Sequence, residues 1–164
     1  MGVTKVEATL NGDKPHGGQN NPSDCGNGGT ILRTALGFGV EDVALIRPCV
    51  DLFDPRVVRA SMGSMFSLRL RVYDDFARYR ADYPAHALYP FMLDGSCSLP
   101  EALAGPVPER YALVFGDEGS GLPGEFSRVG QPVRIPSNDR IDSLNLAVAA
   151  AIGIYGFTQR HGKK

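Results

Sequence analysis

The chain is poor in cysteine, almost without lysine between its ends, and free of long apolar runs. Its three cysteines, Cys25, Cys49 and Cys97, are widely spaced, with no C-x-x-C pair and no histidine cluster beside them. That arithmetic argues against a zinc site or a disulfide framework, so no metal is expected. Neither His16, His86 nor His161 is placed by a recognisable motif to activate Cys25, which reads as a small neutral residue near a turn. No stretch reaches the roughly 18 unbroken apolar residues of a membrane span, and the N-terminus shows no charged-then-apolar signal pattern. No membrane partner is therefore expected, and the expected location is the cytoplasm. A formal net charge of −1 also speaks against nonspecific binding to polyanions, which calls for a basic excess.

What is present fits one domain. A chain of 164 residues with 43% hydrophobic content can fill one ordinary core but not two. Its four lysines, Lys5, Lys14, Lys163 and Lys164, lie at the ends, and every cation between them is arginine. Arg56, Arg59, Arg69, Arg71, Arg78 and Arg80 crowd into one quarter of the chain, where planar guanidinium forks would suit phosphates or would simply be solvated.

Residues 11–29, NGDKPHGGQNNPSDCGNGG, are dense in Gly, Asn, Pro and Asp and read as loop. Helical spacing of Ile31, Leu32, Ala35, Leu36 and Phe38 follows over 30–38, then a buried strand at 43–46. The alternation continues with a helix over 54–66, a strand over 67–73, a short helix over 74–80 and a strand over 87–93. A helical turn over 99–103, a strand over 111–116 and a short strand over 132–136 complete it. Strands separated by helices imply an α/β fold: a mainly parallel sheet with helices on both faces. From Ser143 to Gln159 the chain carries no charge, and its apolar residues go nearly all the way round a helix. A helix with no solvent face needs a partner surface, which a homodimer would supply.

Three segments carry chemistry. The first, NGGTILR over 27–33, is a Gly-rich turn entering a helix, with Asn27 as a cap and Arg33 about two turns in; it could hold a phosphate and a hydroxyl. The second is VFGDEGSGLP over 114–123, where a buried strand ends in Gly116, two acids and further glycines. Ligands bind at such carboxyl ends in α/β sheets, although a plain strand-to-helix turn would look alike. The third is RIPSNDRIDSLN over 134–145. Asp142 or Ser143 could be a helix cap, but the Asn145 amide at the start of an apolar helix must find partners or suffer desolvation.

Together and in this order, these segments resemble the signature of the SpoU-like (TrmH) family of the SPOUT superfamily. Asn27, Gly29 and Arg33 match its first motif. Gly116, Glu118 and Gly121 match the second, and Ile135, Pro136, Ser143, Leu144 and Asn145 the third. FDPRVVRASMGS over 53–64 resembles the stretch between the first two. The resemblance covers roughly residues 20–160. It implies a C-terminal trefoil knot, a homodimer built partly on the last helix, and S-adenosylmethionine as methyl donor to RNA, on a ribose 2′-hydroxyl of tRNA or rRNA.

The donor would be held at Phe91, Met92, Leu93, Gly116, Gly121, Ile135, Ser143 and Leu144. The catalytic set would be Arg33, Asn27, Glu118, Ser143 and Asn145, with Arg33, Arg56 and Arg59 touching RNA. A guanidinium rarely yields a proton, so Arg33 acts either as a base or by holding the phosphate and 2′-hydroxyl in line. The sequence departs from the family at Asp117 (often Asn), Ser137 (usually Met) and Asp139 (often Gly); none of these is a proposed catalytic side chain. The resemblance divides the chain into an N-terminal strand and loop, 1–19, and a methyltransferase domain, 20–164. VEATL over 6–10 would be the first strand, with GDKPHGGQ an insertion after it. The alternative is a catalytically inactive RNA-binding relative, against which intact Arg33, Glu118 and Asn145 speak.

Overall fold

The computed structural model describes residues 9–20 and 24–161. Among these described residues seven strands and five α-helices run in the order β1 (His16–Asn20), α1 (Cys25–Gly37), β2 (Asp42–Ile46), α2 (Pro55–Ser61), β3 (Arg69–Tyr73), α3 (Phe76–Asp82) and β4 (Ala87–Pro90). They continue with β5 (Cys97–Ser98), α4 (Leu99–Ala104), β6 (Tyr111–Phe115), β7 (Val133–Arg134) and α5 (Leu146–His161). Five strands form one sheet in the order β3-β2-β1-β6-β4, and every pairing in it is parallel. β5 and β7 form a separate parallel pair.

Alternation along the strands explains the layers. Val43 and Leu45 of β2, with Tyr111, Leu113 and Phe115 of β6, enter one core with Ile31, Leu32, Val57, Ala102, Ile154 and Phe157 from α1, α2, α4 and α5. The residues between them, Ala44, Ile46 and Ala112, face the other way onto Tyr79 and Tyr83 around α3. Side chains of a strand point alternately to opposite faces, so both faces of this sheet are covered, as a parallel sheet requires.

One expectation is overturned. Residues 11–29 are not loop throughout, and GDKPHGGQ is no insertion: His16–Asn20 is the middle strand of the sheet, paired with β2 on one side and β6 on the other. VEATL lies mostly outside the described residues, and Thr9 and Leu10 form no strand. A strand reading HGGQN carries no β-branched or aliphatic signal; its place is set by neighbours on both edges rather than by propensity. It also straddles the boundary expected at residue 19.

The strand's first residue is locked. His16 is fully buried, and its Nε2 lies 2.8 Å from the Asn11 carbonyl oxygen, which can only accept, so Nδ1 is left to accept from the Tyr79 hydroxyl at 3.0 Å. The His86 ring stacks on it at 4.1 Å, and the Tyr83 ring meets it edge-on at 4.7 Å. Beside them the buried Asp42 carboxylate accepts from both Nε and Nη2 of Arg69, each at 2.7 Å, and from the Asn11 N–H. These groups stand at the amino ends of β1, β2 and β3, and just before β4.

Candidate functional site

β1 and β6 are neighbours in the sheet but far apart in sequence, and the chain leaves β1 toward β2 on one side while β4 and β6 fill the other. Their carboxyl ends therefore flank the point where strand order reverses, which is where α/β sheets open a crevice for ligands.

After β1 comes α1, which starts earlier than its apolar spacing indicates. Asp24 rather than Asn27 is its cap, accepting from the Asn27 N–H at 2.7 Å. Its glycines permit close packing instead of a turn: a side chain at Gly29 would collide with the backbone of Val57 and Ser61 in α2. Asn27 thus lies in the first turn, half-buried, and Arg33 stands further along, exposed and in none of the salt bridges among the described residues.

β6 ends at Phe115, and Gly116 follows where a side chain would run into the backbone of Gly121 and Leu122. The turn closes with the Gly121 N–H on the Asp117 carbonyl at 2.8 Å, and Gly121 takes a positive φ of 65° that favours glycine. Glu118 projects from this turn. Partial desolvation, with the nearby carboxylates Asp24 and Asp117, holds its carboxyl above the ordinary glutamate range.

β7 leads through Ile135 and the loop 136–145 into α5. The cap of α5 is Asn145, not Asp142 or Ser143: its Oδ1 accepts from the N–H groups of Ala147 at 2.9 Å and Val148 at 3.2 Å. Its amide nitrogen donates to Asn27 Oδ1 at 3.3 Å, tying the third motif to the first across 118 residues.

Between these loops lies a cleft of about 400 Å³. All eight residues expected to hold the donor line it: Phe91, Met92 and Leu93 after β4, Gly116 and Gly121 after β6, and Ile135, Ser143 and Leu144 in the last loop. Glu118 lines it as well, whereas Asn27, Arg33 and Asn145 do not; the Asn27–Asn145 pair sits one residue beyond the Leu144 wall. Arg56 and Arg59 are exposed on α2, packed beside α1. Asp94 and Leu122 in the lining, and the Asp24 cap, were not singled out from sequence; the first two directly follow residues that were. Phe91 stacks on Phe115 at 4.7 Å to make one wall. The cleft suits a partly apolar molecule bearing positive charge, since Met92, Leu93 and Leu144 share it with Asp94, Asp117, Asp139 and Asp142, which outnumber the Arg134 guanidinium there.

Residues 19–155 match the model of the SpoU rRNA Methylase family. The chain belongs to that family. An uncharacterized tRNA/rRNA methyltransferase of Mycobacterium tuberculosis is 36% identical over 150 residues, covering 84% of this chain and 49% of the relative. A 23S rRNA (adenosine(1067)-2′-O)-methyltransferase of Streptomyces laurentii is 36% identical over 140 residues, covering 83% and 51%. This SpoU chain thus spans about half the length of the curated relatives it matches. Among solved structures, one giving structural insights into the 2-OH methylation of C/U34 on tRNA superposes with a TM-score of 0.81 at 29% identity, covering 93% of this chain and 100% of that one. An AdoMet-bound rRNA methyltransferase from Sinorhizobium meliloti gives 0.80 at 29%, covering 94% and 58%.

Proposed function

We propose that this SpoU chain transfers a methyl group from S-adenosylmethionine to a ribose 2′-hydroxyl of tRNA or rRNA. The observation that carries the reading is the convergence of three sequence-distant loops on one cleft, with the Asn145–Asn27 hydrogen bond joining that cleft to the helix of Arg33. The S. meliloti relative was solved with AdoMet bound. The cleft here fits such a donor: Phe91 and Leu144 offer apolar contact, and the carboxylates match a cation.

When bound, the donor supplies an electrophilic methyl on a sulfonium. The chain's own residues do the rest. Phe91, Met92, Leu93, Gly116, Gly121, Ile135, Ser143 and Leu144 hold it. Arg33, exposed and in none of the salt bridges among the described residues, grips the RNA phosphate and sets the 2′-hydroxyl in line; positioning of this kind contributes much of the barrier lowering in a displacement. A guanidinium keeps its protons, so Arg33 acts here as a positioning cation rather than a base. Asn27 and Asn145 fix the start of α1 against the donor loop, Ser143 shapes that loop, and Glu118, in the cleft lining, organises the site. Arg56 and Arg59 extend the RNA contact along α2.

The wider reading follows the family. The methyltransferase domain takes in β1 together with residues 20–164, the loop before α5 is threaded as a trefoil knot, and the enzyme works in the cytoplasm. Among the described residues no helix is long and apolar enough to cross a membrane. Two copies pair through α5: Val148, Ile152 and Tyr155 form an exposed apolar stripe at 48%, 38% and 53%, and Phe38 meets Tyr155 edge-on at its margin. Incubation with methyl-labelled donor and total tRNA or rRNA tests the activity. Label is expected in alkali-resistant, ribose-methylated products and is lost with Arg33→Ala; label on bases, or equal labelling by the variant, would refute it.

A further inference from the structure

The lining of the donor cleft is uneven in charge. Asp94, Asp117, Glu118, Asp139 and Asp142 bring carboxylates to it, and among the described residues Arg134 is its only lysine or arginine. Val133 is fully buried, so the alternation of β7 turns Arg134 to the opposite side, where it is exposed. Arg134 enters none of the salt bridges among the described residues. Glu101 on α4 lies within its electrostatic reach, but that carboxylate already accepts from the Ser98 N–H at 2.8 Å and the Ser98 hydroxyl at 2.7 Å. Gly95 approaches the Val133–Arg134 backbone too closely to admit a side chain, which sets the turn carrying Asp94 against Arg134 at one edge of the cleft.

We infer that Arg134 takes the carboxylate at the amino-acid end of S-adenosylmethionine and so selects the intact donor. This role rests on the methyl-donor reading proposed above. At neutral pH the donor carries a sulfonium, an ammonium and a single carboxylate. The acids of the cleft answer the first two, whereas the carboxylate would meet only like charge unless a cation stands there. A guanidinium is well shaped for it, since its planar fork can hold a carboxylate by two parallel N–H···O bonds. Asp94, on the neighbouring turn, suits the ammonium carried by the same carbon atom. An RNA phosphate is the other anion to weigh, but Arg134 adjoins Ile135 inside the cleft, while Arg33, Arg56 and Arg59 stand outside it.

Decarboxylated S-adenosylmethionine keeps the nucleoside, the sulfonium and the ammonium, and so isolates the carboxylate. Calorimetric titration gives the affinity of the parental chain and of Arg134→Ala for each of the two ligands. The pull of the cleft acids acts in both proteins and cancels in the comparison. The ratio of intact to decarboxylated affinity is expected to be about tenfold greater in the parental chain than in Arg134→Ala. Arg134→Lys should fall between them, because an ammonium offers the charge without the fork. The decarboxylated ligand should bind Arg134→Ala no less tightly than the parental chain, which also reports that the variant's cleft is folded. Equal ratios in the parental chain and Arg134→Ala, or a loss of affinity for both ligands alike, would overturn the role of Arg134. So would a variant that keeps its donor affinity but loses affinity for tRNA, which would assign Arg134 to a phosphate. If the parental chain binds neither ligand, the methyl-donor reading falls as well; if it binds both and the ratio does not move, only the role of Arg134 does.

Discussion

At the amino ends of the strands, His16, His86, Tyr79 and Tyr83 pack ring against ring with their polar atoms bonded inward, and Asp42 holds Arg69 in a two-pronged pair. At the carboxyl ends, glycines leave room, Glu118 is exposed, and Asn145 at the start of α5 is tied to Asn27 in the first turn of α1. One end is closed around its charges and the other offers them. The contrast teaches that stability and activity in this domain are carried at opposite edges of the same sheet, so changes at one edge should leave the other's readout in place.

The largest effect should come from Arg33→Ala. Losing the positioning cation is expected to slow methyl transfer about a thousandfold, with thermal stability and donor affinity unchanged; a matching fall in melting temperature would blur the contrast. Asp42→Ala should do the reverse. Removing the buried partner leaves the Asn11 N–H without its acceptor and Arg69 with Glu41 alone at 3.3 Å, and because Arg69 is partly exposed the cost is about 2 kcal/mol in denaturant unfolding. Donor affinity of the folded fraction should stay intact.

Acid should attack the same edge. Burial, opposed in part by the Asn11 carbonyl, lowers the His16 pKa from 6.5 to about 4, and burial lowers His86 as well. Above 6.5 the ring is neutral whether folded or unfolded. As pH falls below that value the unfolded chain takes a proton that the folded one refuses, so stability drops with pH until about 4. The His16 share of the loss is about 2 kcal/mol by pH 5. Unfolding measured across this window checks it, and His16→Gln should flatten the profile.

Two smaller substitutions address the joint between the edges. Gly29→Ala pushes α1 away from α2 and should cost about 1 to 2 kcal/mol, while slowing transfer by moving Arg33. Asn145→Ala removes the α5 cap, about 1 kcal/mol by melting, together with the tie to Asn27. Its effect on transfer rate should exceed its effect on stability if the tie matters to the site.

How much of this was legible in the sequence differs between the edges. The cleft was readable because Gly116, Glu118, Ile135 and Leu144 stand in ordered motifs, each fixed by local turn chemistry or by what a backbone must let approach. The helical periods of α1 and α5 and the apolar run of β6 were readable for the same reason. β1 was not. Its glycines and histidine follow a loop composition, and the forces that make it a strand come from β2 and β6, remote in the chain. The histidine–tyrosine cluster was hidden likewise, since His16 and Tyr79 are 63 positions apart and neither belongs to a motif. Glycine misled twice, marking a turn where α1 already runs as helix because α2 must come close.

Calorimetric titration of the purified chain with S-adenosylmethionine tests most directly whether the three loops form a donor site. Saturable binding at one site per chain, abolished when Leu144→Arg puts bulk and a cation into the cleft wall in a variant that still folds, is the predicted result. Absence of heat at millimolar donor, or undiminished binding by the folded Leu144→Arg variant, would contradict the account.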